Sequence, residues 1–302
     1  MTVINTNISS IQAQTAMRTT RASTEKAMER LSTGLKINFA GDDAAGLAIS
    51  SRMTSQIKGL NMAVKNAQDG ISLTQTAEGA LGEVQNMLQR MRELSLQAAS
   101  DTNSSDDRAY LQTELKALST EIDRVAATTT FNNQKLFSGT DFGTFAPASG
   151  TASVTNPSTV TLKIQVGSNT GASDKVEITL QETSASVLGV EVAAAGTAAT
   201  GNQLELDTGA NALDAVTAID AALKNVTNLR SSFGAIQNRL EHTVSNLTNI
   251  ATNTELARSR IQDADYAQET SNMTRGQILQ QAGTAMLAQA NKMSQSVMSL
   301  LQ

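Results

Sequence analysis

Proline is almost missing from this chain. Pro147 and Pro157 are the only two in 302 residues, so 146 residues before them and 145 after carry no residue that breaks a helix by itself. Long helices are therefore allowed in both halves, and the apolar spacing indicates that they form. In the first half Ile57, Leu60, Val64, Ala67, Ile71, Thr74, Ala77, Leu81, Val84, Leu88, Met91 and Leu94 step by three or four, with Thr74 the only polar member. That is the seam of a coiled-coil-like helix. After the Asn/Ser/Asp cluster at 100–105, which predicts a helix-to-helix turn, Leu111, Leu115, Leu118, Ile122 and Val125 make a second stripe. In the second half Val216, Ile219, Leu223, Val226, Leu229, Phe233, Ile236, Leu240, Val244, Leu247 and Ala251 make a third. A helix over 42–99 would be roughly 85 Å long at 1.5 Å per residue, so the expectation is a rod in which three helices cover one another's apolar faces.

The grammar changes over 138–207, which is rich in Thr, Ser, Ala and Gly. Val160, Leu162, Ile164 and Val166 alternate with polar residues, and so do Val176, Ile178 and Leu180, so two strands are predicted. Gly167 to Gly171 can turn the chain between them. A disordered Thr/Ser linker is the competing reading of this stretch, although linkers lack such alternation. The fold class expected is mainly α: an elongated bundle of long helices from both chain ends with a small β-rich insertion.

The two ends are the most unusual segments. Met1 to Met17 hold no charged residue, and Gly276 to Gln302 hold only Lys292. In the C-terminal segment Leu279, Met286, Met293 and Leu300 recur every seven residues, with Gly283, Ala290 and Val297 four after each of the first three. Ile4, Ile8 and Ile11 offer a shorter matching face at the N-terminus, so one end can pair with the other. A helix that stays in water carries charges on its outer face, and an isolated pair of this kind would be marginal. Burying neutral Gln, Asn, Ser and Thr against other subunits avoids desolvating charge, the costly step, so ends of this chemistry suit the inside of a polymer. They could also simply frame the chain's own bundle.

Composition excludes several classes. A net charge of −5 without any basic run argues against nucleic-acid or anionic-membrane partners. Cysteine is absent, so no disulfide, thiol nucleophile or Cys-containing zinc site is available. No stretch approaches the roughly 20 apolar residues of a membrane span, and the N-terminus does not resemble a cleavable secretory signal. Asp42-Asp43 could hold a metal, but both sit before the Ala44-Ala45-Gly46-Leu47 helical run, where carboxylates cap free N–H groups. His242 is the only histidine and stands on a seam-bearing helix, and Gly79 and Gly82 are followed by no Gly-Lys-Ser/Thr of a phosphate loop. No enzyme activity and no cofactor or metal site is expected.

Leu31-Ser32-Thr33-Gly34-Leu35-Lys36-Ile37-Asn38, followed by Asp42-Asp43-Ala44-Ala45-Gly46-Leu47-Ala48-Ile49-Ser50, resembles the N-terminal signature of bacterial flagellins. Leu88 to Leu94, Glu121 to Val125 and Phe131 to Phe137 support it, and Ser259 to Tyr266 with Gln277 to Ala282 are similar to the family's C-terminal pattern. The resemblance covers roughly 1–137 and 210–302. It implies a filament-core helical domain from 1–41 and 256–302, a helical rod domain from 42–137 and 209–255, and an outer β-rich domain over 138–208. It implies a structural subunit that polymerises into the flagellar filament for swimming, with Ile4, Ile8, Ile11, Leu279, Met286, Met293, Val297 and Leu300 as polymerisation residues. The implied route is flagellar type III export to an extracellular filament. The implied partners are further copies of the chain, an export chaperone on the C-terminal segment, the filament cap and the hook-associated junction proteins. It also implies recognition by the host receptor Toll-like receptor 5 through Leu88, Gln89, Arg90, Arg92, Glu93, Leu94 and Glu114. From sequence alone Arg90 and Glu93 could equally be an exposed i,i+3 pair. The alternatives are a hook–filament junction protein or a secreted adhesin carried on a helical stalk.

Overall fold

The computed structural model describes residues 7–137, 146–147, 158–193 and 203–299. Six helices and five strands run in the order α1 (Ile8–Thr33), α2 (Ala44–Ala98), α3 (Ser105–Thr128), β1 (Thr130–Phe131), β2 (Gln134–Lys135), β3 (Ala146–Pro147), β4 (Ser158–Gln165), β5 (Lys175–Gln181), α4 (Ala185–Leu188), α5 (Gly209–Gln262) and α6 (Tyr266–Ser299) among the described residues. The expectation of a mainly α chain with long helices from both ends and a small strand-containing region holds. Two compact units result, one from Met1–Lys58 with Ala251–Gln302 and one from Gly59–Ile250.

In the Gly59–Ile250 unit the predicted seam of α2 is the core. Leu81, Val84, Leu88, Met91 and Leu94 are fully buried, and across from them so are Ile219, Val226 and Phe233 of α5. Removing a Leu, Met or Phe side chain of this kind from water contributes about 1.5–3 kcal/mol. The helix α3 begins where the Asn/Ser/Asp cluster indicated: the Ser104 hydroxyl accepts from the Asp107 N–H while the Asp107 carboxylate accepts from the Ser104 N–H, a capping box that satisfies two orphan donors. Its buried face is rotated from the predicted stripe. The residues turned inward are Gln112, Leu115, Ser119, Ile122 and Ala126, while Leu111, Leu118 and Val125 pack at the margin.

Buried Gln112 and Ser119 have a reason. Gln112 Nε2 donates to the carbonyls of Ala193 and Leu204 at 3.2 and 3.1 Å, Ser119 Oγ donates to the Val190 carbonyl at 3.1 Å, and the Asp123 carboxylate accepts from the Ala185 N–H at 2.7 Å. These three side chains satisfy the main chain of the segment returning from the strands, which lies in the core through Ala185, Leu188, Val190 and Leu206. The predicted strands form an antiparallel hairpin with Val160 opposite Leu180, Leu162 opposite Ile178 and Ile164 opposite Val176. Ile178 and Leu180 share the core of α2 and α5. Close approach is possible because Gly70 of α2 lacks a Cβ, which would lie 2.4 Å from Ile164 Cδ1. Pro147 sits in β3 at the edge of the sheet β3-β4-β5, where a missing N–H is tolerated. A second hairpin, β1–β2, turns at Asn132 and Asn133, both with positive φ, a conformation Asn adopts more readily than most residues.

Candidate functional site

In the unit formed by the two chain ends, α1 and α6 lie antiparallel. Asn7 Nδ2 donates to the Ala290 carbonyl at 3.1 Å, Met17 faces Gly283, Thr24 faces Gly276, and Arg30 Nη1 meets Glu269 Oε1 at 2.8 Å. A Cβ at Gly276 would lie 2.1 Å from Thr24 Oγ1, so any larger residue there would force Thr24 or the helix pair to shift. The helix α1 starts at Asn7, whose side chain accepts from the Ser10 N–H, and ends at Gly34 with φ 72°, the left-handed cap that glycine adopts without strain. Beyond the cap, Ala264 N–H donates to the Gly34 carbonyl and Lys36 N–H to the Gln262 carbonyl, joining the two interhelix connectors.

The ends do pair, but not through the apolar residues expected to do it. The buried positions of α1 are Ser10, Thr24 and Ala27. Ile8 and Ile11 are 52% and 53% exposed, and Ile278, Leu279 and Met286 of α6 are 60%, 51% and 65% exposed. Gly283 and Ala290 meet α1 directly, whereas Met286 is turned away and half-exposed Leu279 stands at the edge of the groove lined by Thr20, Ser23 and Ala27 of α1, which corrects the single stripe read from the seven-residue repeat. The reason is steric: small residues let the two backbones close up, and the bulky ones are left on the faces turned away. Ile4 and Leu300 lie outside the described residues, as do the side chains of Met293 and Val297.

The signature around Asp42-Asp43 is a loop held by its own side chains. Asp43 Oδ1 accepts from the Gly46 N–H at 2.9 Å and so caps α2. Asp42 does not cap that helix. Its carboxylate meets Lys26 Nζ at 2.7 Å and accepts from the N–H groups of Asn38 and Phe39. Lys26 first, then these two N–H groups, hold its pKa down at about 2. The two carboxylates are thus committed to separate structural tasks. Gly46 is required because a Cβ there would lie 2.5 Å from Asp43 Oδ2 and 2.7 Å from Ile37 Cδ1. Among the described residues no group of three His, Cys, Asp or Glu side chains could hold a metal ion.

On the Gly59–Ile250 unit the seven residues expected from the resemblance to meet a receptor separate into three sets. Leu88 and Leu94 are 0% and 1% exposed and belong to the core, so they are corrected from surface contacts to supports. Gln89, Arg90, Glu93 and Glu114 are exposed. Arg90 Nη2 meets Glu114 Oε1 at 2.8 Å across the α2–α3 turn, and its Nη1 meets Glu93 Oε2 at 3.1 Å along α2. Glu114 first, then Glu93, raise the Arg90 pKa above its ordinary value. Arg92 points elsewhere, with Nε 2.6 Å from Asp220 Oδ1 of α5, which raises its pKa in the same way. His242 is exposed on α5.

Both helical ends of the chain resemble known proteins. The bacterial flagellin N-terminal helical region matches residues 4–141, and the bacterial flagellin C-terminal helical region matches residues 216–301. The chain is 45% identical over 299 residues to a flagellin of Halalkalibacterium halodurans, and 43% identical over 301 residues to the flagellar filament 33 kDa core protein of Treponema phagedenis, with 99% of each chain covered in both cases. A solved structure described as a flagellar hook-associated protein from Vibrio parahaemolyticus shares the fold at a TM-score of 0.51 and 18% identity, covering 74% of this chain and 100% of that one.

Proposed function

The chain belongs to the bacterial flagellin family, and we propose that it is the repeating subunit of a flagellar filament, assembled through the outer faces of α1 and α6. One observation carries this reading. Ile8, Ile11, Ile278, Leu279 and Met286 stand exposed on two helices whose ends are almost without charge. Large apolar side chains on a surface that lacks solvating charge are a patch awaiting cover, and further copies of the chain supply it without desolvating ions. The polymerisation set extends along the same segments to Ile4, Met293, Val297 and Leu300. The five-segment division drawn from the sequence is carried into this proposal, with 138–208 facing outward. The role is mechanical and asks no residue to do chemistry.

The finer parts of the reading are export of the chain through the flagellar type III channel, chaperone binding on the C-terminal segment before export, addition under a distal cap, and contact with hook-associated proteins at the filament base. For Toll-like receptor 5 we propose a contact centred on Gln89, Arg90, Glu93 and Glu114, with Leu88 and Leu94 holding α2 in place beneath it. An Arg90→Ala chain is expected to assemble normally and to lose receptor signalling; lost assembly with intact signalling would reverse that assignment.

The filament reading is tested by electron microscopy of the purified chain before and after seeding with filament fragments, beside a variant lacking Gly276 to Gln302. Filaments from the full chain and none from the truncation are expected. A full chain that stays folded, soluble and unpolymerised in both preparations would favour a stalk-borne binding protein.

A further inference from the structure

We propose that the largely enclosed Arg30–Glu269 ion pair is the positioning contact that sets the register of α1 against α6, and thereby decides how the outward side chains of one helix align along those of the other. This rests on the filament reading for its consequence but not for its geometry. The small residues at the contact do not define a register by themselves. Gly276, Gly283 and Ala290 recur every seven residues on α6, and Ser10, Met17 and Thr24 recur every seven on α1. After a slide of seven residues Thr24 would again find a glycine opposite it, Gly283, and the flexible end of Met17 would have to give way only to the single Cβ of Ala290. At the far end, Asn7 donates to a main-chain carbonyl, that of Ala290, and every register offers such a carbonyl.

Arg30 and Glu269 break this degeneracy, because each has a single counterpart. Glu269 is the only charged side chain buried among the described residues, and its two oxygens are satisfied by Arg30 Nη1 at 2.8 Å and by Asn272 Nδ2 at 3.3 Å. A slide that set Met17 against Ala290 would bring Gly276 opposite the Arg30 turn and carry Glu269 past the end of α1. Both charges would lose their partner in a partly enclosed site, an outcome far costlier than any loss among the small residues. Register specification is the best attested use of such a buried pair.

The absence of cysteine makes the register directly measurable. Met17→Cys with Gly283→Cys reports the observed register, and Met17→Cys with Ala290→Cys reports the seven-residue slide. Oxidative cross-linking is read on filaments and on the soluble chain. In the native background the 17–283 link is expected almost alone. Removing one charge would strand the other and could simply unfold the pair, so the informative variant is Arg30→Met with Glu269→Leu, which keeps apolar volume in place. Its ratio of 17–290 to 17–283 links should rise at least about tenfold, and the exchange Arg30→Glu with Glu269→Arg should bring the ratio back. An unchanged ratio in the apolar variant would assign the register to the main-chain bridge between the connectors and overturn the proposal, as would a shift that the exchange fails to reverse. Absence of filaments from the native chain would instead overturn the filament reading, while the cross-links on the soluble chain still report the register.

Discussion

The Gly59–Ile250 unit and the paired chain ends are both built from long helices, yet they bury opposite kinds of residue. In the first, Leu81, Leu88, Met91, Leu94 and Phe233 fill the interior. In the second, Ser10, Thr24, Ala27 and Gly276 meet at the helix contact, while Ile8, Ile11, Ile278, Leu279 and Met286 stay outside. A contact made of Ser, Thr, Ala and Gly removes little apolar surface from water, so its stability depends on polar contacts and on whatever covers the outer faces. The first unit covers its own large apolar side chains, whereas the second leaves them outside, where under the proposed filament reading further copies of the chain would cover them.

The sharpest way to break this contrast is to make the outer face polar. Leu279→Ser with Met286→Ser should leave the monomer's circular dichroism unchanged, yet weaken association by about 2–3.5 kcal/mol, because full burial is worth about 1.5–3 kcal/mol per side chain and each is already partly covered in the monomer. Seeded growth followed by light scattering would then show a critical concentration raised by orders of magnitude, and normal growth would mean that this face is not the one covered. Leu88→Ala should do the reverse, lowering monomer stability by about 2–5 kcal/mol through the cavity it leaves, as read by urea unfolding. Gly276→Ala should cost about 1–3 kcal/mol by pushing α1 and α6 apart, with faster hydrogen exchange confined to those two helices. Equal exchange across both units would contradict the separation drawn here.

The smallest expected effect is a dependence on acid. The Asp42 carboxylate is held at about 2 against an ordinary value of 3.8, so its contribution to the loop is complete above 3.8 and is lost as pH falls through about 2. Backbone amides of residues 37–43 should therefore begin to exchange faster as pH drops across that window, and Asp42→Asn should remove the dependence. A loop whose exchange follows only the intrinsic acid profile of free amides would show that Asp42 does not hold it.

Much of the architecture was legible beforehand because it repeats. The seam from Ile57 to Leu94 predicted a helix over 42–99, and α2 runs from Ala44 to Ala98. The alternation around Leu162 and Ile178 predicted the hairpin, in which those two residues are cross-strand partners. Features resting on polar side chains were harder to see. Gln112 and Ser119 are buried because distant carbonyls need donors, and nothing local in α3 announces that need. The Asn132-Asn133 turn carried a signal in its residue types, but the strands it joins are only two residues long. Among the residues expected to meet a receptor, Arg90 pairs with Glu114 across the α2–α3 turn, and Leu88 and Leu94 face the core.

Helix, strand and turn were determined by the sequence alone, because periodicity, proline placement and capping residues act within a few positions of the chain. So were the family and the poverty of charge at both ends. Which face of each terminal helix meets the other was decided only in the tertiary structure. The seven-residue repeat marked Leu279 and Gly283 alike as candidates for the contact. Close approach of two backbones selects the smaller residue, and that choice exists only once both helices are in place.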